Sequence, residues 1–192
     1  MTHSTIILIG PMSAGKTTIA PLLAEKLGLE HCALDEVRWD YYNEIGYDEA
    51  EVARISKAEG LLGRLRYWKP FEAHSVERVL ADYSNCVVDF GAGHSVYEDE
   101  SLFARVERAL APFPNVILLL PSPDLDESAK IVNARLEPQL QDEGVDVAAI
   151  LAVNEHFARH PSNFKLAKIV IYTEGKTPEE TCEEIIRSIT KE

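Results

Sequence analysis

Gly10-Pro11-Met12-Ser13-Ala14-Gly15-Lys16-Thr17 is the stretch on which the reading of this chain turns. It has the spacing G-x-x-x-x-G-K-[ST]. Two glycines let the backbone turn tightly and aim its N–H groups inward, as a polyphosphate requires. Lys16 then reaches the β- and γ-phosphates, and the Thr17 hydroxyl can hold Mg²⁺. Ser13, Ala14 and Thr18 complete the set of backbone and hydroxyl donors around an anion. The flanks agree with this reading. Ile6-Ile7-Leu8-Ile9 runs into Gly10 as a buried strand should, and Ile19, Leu22, Leu23 and Leu27 follow at helical spacing up to Gly28. Strand, glycine-rich loop and helix in that order are the context such a loop needs. Pro21 falls in the helix's second turn, where a local kink is expected rather than a lost helix.

Outward from the loop, apolar runs alternate with helical stripes. Strands are expected at residues 5–9, near Cys32-Ala33-Leu34, at Cys86–Phe90, at Val116–Leu120 and at Ile169–Tyr172. About five strands separated by helices predict a parallel sheet covered on both faces, a three-layer α/β fold. Thr177, Pro178 and Glu180 open the last helix with a capping box, and Cys182, Ile185, Ile186 and Ile189 form its apolar stripe. Residues 36–84 read as two or three helices, and residues 122–166 carry helical stripes near 126–136 and 146–158. Insertions after strands of such a sheet sit at its carboxyl edge, where ligands bind. The first suits an acceptor site and the second a lid, within one domain over 1–192.

The 192 residues suit one core, and 46% of them are apolar, with no run approaching a membrane span. No signal peptide is visible at the start, and three widely spaced cysteines (Cys32, Cys86, Cys182) read as reduced thiols of a cytoplasmic protein. A net charge of −13 argues against a nucleic-acid backbone as the main partner. Neither composition nor pattern addresses the oligomeric state.

Several residues have the chemistry for phosphoryl transfer, which asks mainly for positioning and charge neutralisation. Asp89, at the end of the Cys86 strand, suits a carboxylate that orients Mg²⁺. Asp35 lies 19 residues after Lys16, where a carboxylate can face the γ-phosphate and orient or deprotonate an attacking hydroxyl. Gly91-Ala92-Gly93-His94 follows the Asp89 strand and allows an acceptor close to the backbone. For His94, substrate contact and surface placement are both open. Arg135, with Lys130 and Arg159 as rivals, suits a cation that closes on the transferred group. His156 and His160 share a helical spacing, but no third metal ligand is evident beside them. Trp39, Tyr41, Tyr42, Tyr47, Tyr67, Trp68 and Phe71 cluster in the first insertion, either as a local core or as the walls of an acceptor pocket.

On the loop, Asp35, the Gly-x-Gly turn and the stretch Ala167–Pro178, the chain resembles shikimate kinase and related small-metabolite kinases over nearly its whole length. The resemblance implies that ATP donates its γ-phosphoryl group to a hydroxyl of a small metabolite, with Mg²⁺. It implies that Asp35 and Gly91–Gly93 touch the acceptor, and that Gly175, Lys176 and Thr177 line the adenine. Arg135 corresponds loosely to the lid arginine. The arginine that follows Phe in the family's first insertion is Glu72 here, and a second family arginine falls near Phe164 or Lys165. Arg64, Arg66 and Lys165 are the candidate replacements. The rival readings are a nucleoside or nucleotide kinase and an ATP-binding sensor without transfer activity.

Overall fold

Ile6-Ile7-Leu8-Ile9 forms β1 (Ile6–Ile9), and all four residues are buried in the computed structural model, which describes residues 5–141 and 144–189. A strand that is apolar on both faces needs a helical layer on each side. Those layers come from the alternation that follows: α1 (Lys16–Leu27), β2 (Glu30–Ala33), α2 (Leu34–Glu44), α3 (Glu49–Asp82), β3 (Cys86–Asp89), a 3₁₀ turn (Ala92–Ser95), α4 (Glu100–Leu110), β4 (Asn115–Leu120), α5 (Leu125–Leu140), α6 (Val147–Arg159), α7 (Pro161–Leu166), β5 (Ile169–Tyr172) and α8 (Pro178–Ile189). The five strands pair in parallel in the order β2-β3-β1-β4-β5. The second strand sits slightly earlier than its apolar residues suggest, because Leu34 already opens α2.

Strand periodicity divides the core. Ile7, Ile9, Val88 and Leu118 face α3, α4 and α7, whereas Ile6, Leu8, Val87 and Ile117 face α1, α5 and α8. Cys32, Cys86 and Cys182 are buried and unpaired. Helix α1 runs through Pro21. Among the described residues, no helix is long and apolar enough to cross a membrane.

The order matters because the chain leaves β3 on one side of β1 and re-enters the sheet as β4 on the other. The crevice at the carboxyl ends of β1, β3 and β4 is the switch point at which such sheets bind ligands. The glycine-rich loop follows β1, Asp35 follows β2, and Gly91–His94 follows β3. The first insertion is α2 and α3, with Gly60 (φ 65°, ψ −156°) breaking α3. The second is α5, α6 and α7.

Candidate active site

The phosphate-type loop is built by backbone constraint. Gly10 has φ 141°, and a Cβ there would lie 2.5 Å from the Leu119 carbonyl oxygen, so β4 leaves room for glycine alone. Gly15 (φ 102°) and Ser13 (φ 58°) also adopt left-handed conformations. Helices α3, α4, α5 and α6 begin with Asp48, Asp99, Asp124 and Asp146, each capping backbone N–H groups with its carboxylate. Helix α1 begins with Gly15, has no side-chain cap and carries no acid in its first turn. Its positive end is thus left for an anion. Thr17 and Thr18 are exposed there, while Ala14 is buried beneath. Lys16 is buried, and its Nζ donates to the Gly10 and Pro11 carbonyls, both at 2.8 Å. Burial pushes its ammonium down to about 8, and the charges of Asp35 and Asp89 pull the other way.

The same electrostatics put both carboxylates in the lysine's neighbourhood. Asp89 is buried, and His31 Nε2 donates to its Oδ1 at 2.6 Å. Asp35 sits in the first turn of α2, where Arg38 donates to it at 2.8 Å. The two glycines after β3 make room for acids. A Cβ on Gly91 would lie 2.3 Å from Asp35 Oδ1, and one on Gly93 would lie 2.4 Å from Glu72 Oε1. Glu72 is buried and paired with Lys69 at 2.6 Å, and Lys69 also donates to the Gly93 carbonyl at 2.9 Å.

Asp35, Arg38, Arg64, Trp68, Glu72 and Gly91–His94 line one cavity of about 250 Å³, closed by Leu61, Leu65, Val153 and Phe157. His94 is 1% exposed, which removes the surface alternative for it. Of the candidate replacement cations, Arg64 lines the cavity. Arg66 is paired with Glu59, and Lys165 lies over the Phe103 ring. The aromatic residues of the first insertion mostly pack on one another: Tyr42, Tyr47, Tyr67 and Phe71 have ring centroids 5.1–6.1 Å apart. They are the local core between α2 and α3, and Trp68 alone of the cluster lines the cavity. A larger cavity of about 760 Å³ lies on the far side of the Leu61–Phe157 wall. Its cations Lys69, Arg66 and His156 are held by Glu72, Glu59 and Glu98.

Arg135 on α5 pairs with Glu174 at 3.2 Å, in the turn that carries Gly175, Lys176 and Thr177. Lys176 folds back onto the Tyr172 carbonyl (2.7 Å). Thr177 and Glu180 exchange the two hydrogen bonds of the capping box. Arg159, a rival to Arg135, is held by Asp126 and Glu155.

His156 and His160 do gain a third group, since both Nε2 atoms approach Glu98 Oε1, at 2.8 and 3.1 Å. The Ser162 N–H, however, donates to His160 Nδ1 at 3.2 Å. That leaves the ring proton on Nε2, so His160 offers Glu98 a donor and a cation no lone pair. The cluster fastens α6 to the Glu98 loop.

Sequence reasoning missed Asn154. It is fully buried on α6, accepts from the Met12 N–H (2.8 Å) and donates to the Met12 carbonyl (3.3 Å) and to Asn133 (3.0 Å). The available signal was a lone amide on the apolar stripe of Val153 and Phe157.

A family model described as shikimate kinase matches residues 12–190. A shikimate kinase from Streptomyces coelicolor is 28% identical over 201 residues, covering 98% of this chain and 97% of its own. One from Thermodesulfovibrio yellowstonii is 27% identical, covering 95% and 92%. Among solved structures, a shikimate kinase from Acinetobacter baumannii in complex with shikimate superposes with a TM-score of 0.68 at 22% identity, covering 98% and 93%. A gluconokinase from Sinorhizobium meliloti 1021 does so with a TM-score of 0.59 at 13% identity, covering 99% and 93%. The two structures share the three-layer fold of parallel sheet and helices. With the matched family model spanning loop, insertions and final helix, the chain belongs to the shikimate kinase family and is a small-metabolite phosphotransferase that uses ATP.

Proposed function

We propose that this protein transfers the γ-phosphoryl group of ATP to a hydroxyl of a small metabolite seated in the 250 Å³ cavity. The observation that carries the reading is the convergence of Asp35 and Asp89 on Lys16 at the carboxyl ends of neighbouring strands, with Asp35 also lining that cavity. When bound, ATP with Mg²⁺ supplies the transferable group and its counter-charge. Gly10, Ser13, Ala14 and Gly15 hold the phosphates through their backbone, with Lys16 and Thr18 beside them. The uncapped start of α1 and the buried ammonium fit that anion. Thr17 and Asp89 hold the metal, and the His31 hydrogen bond fixes the Asp89 carboxylate.

Asp35 accepts the proton of the attacking hydroxyl, or orients it, and Arg38 fixes the carboxylate for that task. Gly91, Ala92, Gly93 and His94 border the acceptor. Gly175, Lys176 and Thr177 lie on the adenine side. Residues 122–166 act as the lid, and Arg135 exchanges Glu174 for the transferred group on closing. The three buried thiols suit a reducing cytoplasm.

The test is turnover of ATP against a panel of cyclic and linear polyol acids, shikimate and gluconate included. Lys16→Ala should abolish transfer. Asp35→Asn should lower kcat about a hundredfold while ATP still raises Tm. Full kcat in Asp35→Asn would remove that residue from the mechanism.

A further inference from the structure

We propose that His94 is a specificity-determining residue whose unprotonated Nε2 accepts a hydrogen bond from a hydroxyl or N–H group of the phosphoryl acceptor. The inference rests on reading the 250 Å³ cavity as the acceptor site.

The argument begins at the other ring nitrogen. His94 Nδ1 lies 3.3 Å from the Gly91 carbonyl oxygen. A carbonyl only accepts, so Nδ1 carries the proton and Nε2 of the neutral ring keeps its lone pair. The neutral ring is favoured because His94 is buried, and burial lowers its basicity. The charges facing it come from two elements: Glu72 and Lys69 on α3, and Asp35 and Arg38 on α2. Two acids and two bases largely offset one another, so desolvation decides.

Among the described residues, Nε2 has no hydrogen-bond partner. A buried acceptor left without a partner loses its hydrogen bonds to water and gains none in return. Three more residues that line the same cavity carry an orphaned buried nitrogen, Arg38 Nε, Arg64 Nε and Trp68 Nε1, all of which can only donate. The orphans are therefore sorted: donors come from α2 and α3, and the one acceptor comes from the turn after β3. A molecule that satisfies all of them presents oxygen acceptors towards Arg38, Arg64 and Trp68 and a donor towards His94. An acceptor lacking that donor leaves Nε2 buried and unpaired, which is how a site built for a hydroxyl rejects its deoxy analogue.

The experiment follows His94 by ¹⁵N NMR of histidine-labelled protein, alongside thermal shifts with ADP and Mg²⁺ present. The probes are shikimate, gluconate and the analogues of each that lack one hydroxyl. In the free protein the His94 proton should be on Nδ1, and a proton on Nε2 overturns the proposal. A probe that raises Tm should shift the Nε2 resonance. For one of its hydroxyls, deletion should weaken binding about tenfold in the wild type and hardly at all in His94→Leu. His94→Gln, which restores an acceptor at that reach, should recover part of the discrimination, whether or not the leucine variant folds. A binding probe that leaves Nε2 unmoved, or deletions felt equally with and without the imidazole, overturns the assignment. So does a panel in which no probe binds. With ATP in place of ADP, a probe that binds through Nε2 but receives no phosphoryl group upholds His94 and refutes the reading of this cavity as the acceptor site instead.

Discussion

Lys16 carries a conflict between function and stability. Its ammonium is buried, and its titration falls from 10.5 to about 8. A lysine lowered in the folded state is less willing to be charged there than in the unfolded chain. The penalty is complete below about 8 and fades as pH rises towards 10.5. Its ceiling is ~3 kcal/mol, from the size of the shift. Lys16→Met should therefore raise the Tm of the nucleotide-free protein at pH 7, with a gain that shrinks above pH 8, and should abolish the further rise given by ATP. Thermal melts across pH, with and without ATP, check both. A Tm lowered by the substitution at pH 7 would mean that the bonds to Gly10 and Pro11 outweigh the desolvation cost. The loop was legible in the sequence because positive-φ glycines and a single lysine admit few readings. The burial of His94 was not, since the charged groups that surround it lie on α2 and α3, remote in sequence.

At the scale of the element, the break in α3 decides where the cavity's donors stand. Gly60 has φ 65° and ψ −156°, a conformation open to glycine and strained for any other residue, although no atom crowds the site. Leu61, Arg64, Leu65 and Trp68 lie directly after the break and line the cavity. Gly60→Ala should cost about 1–3 kcal/mol by denaturant unfolding, and should raise the KM for the acceptor more than that for ATP. Equal effects on both would separate the break from acceptor binding. Helical stripes foretold α5 and α6, because packing one face against a core leaves a periodic trace. They did not foretell that His156 and His160 meet Glu98. Nor did they show that the aromatic residues near α2 and α3 fill a local core. Composition names rings, and only packing decides whether they face a ligand or each other.

Over the whole molecule, the order β2-β3-β1-β4-β5 gathers the loops after β1, β2 and β3 at one edge, so one crevice holds both the phosphate-type loop and the 250 Å³ cavity. The net charge of −13 leaves the attraction of an anionic nucleotide to local features, the start of α1 and Lys16. One further contact joins the two halves of the crevice. Met12 belongs to the glycine-rich loop, lines the 250 Å³ cavity proposed for the acceptor, and has its backbone held on both sides by Asn154 of α6. Two ligands of one protein always form a thermodynamic cycle, and the fixed backbone of Met12 gives this one a route for coupling. Whatever factor ATP applies to the acceptor's affinity, the acceptor must return to ATP. Asn154→Leu should bring that factor towards one, measured as the acceptor's Kd with and without nucleotide, while each ligand still binds alone. The protein would then remain a competent receptor for either ligand and lose its means of telling one that the other has arrived.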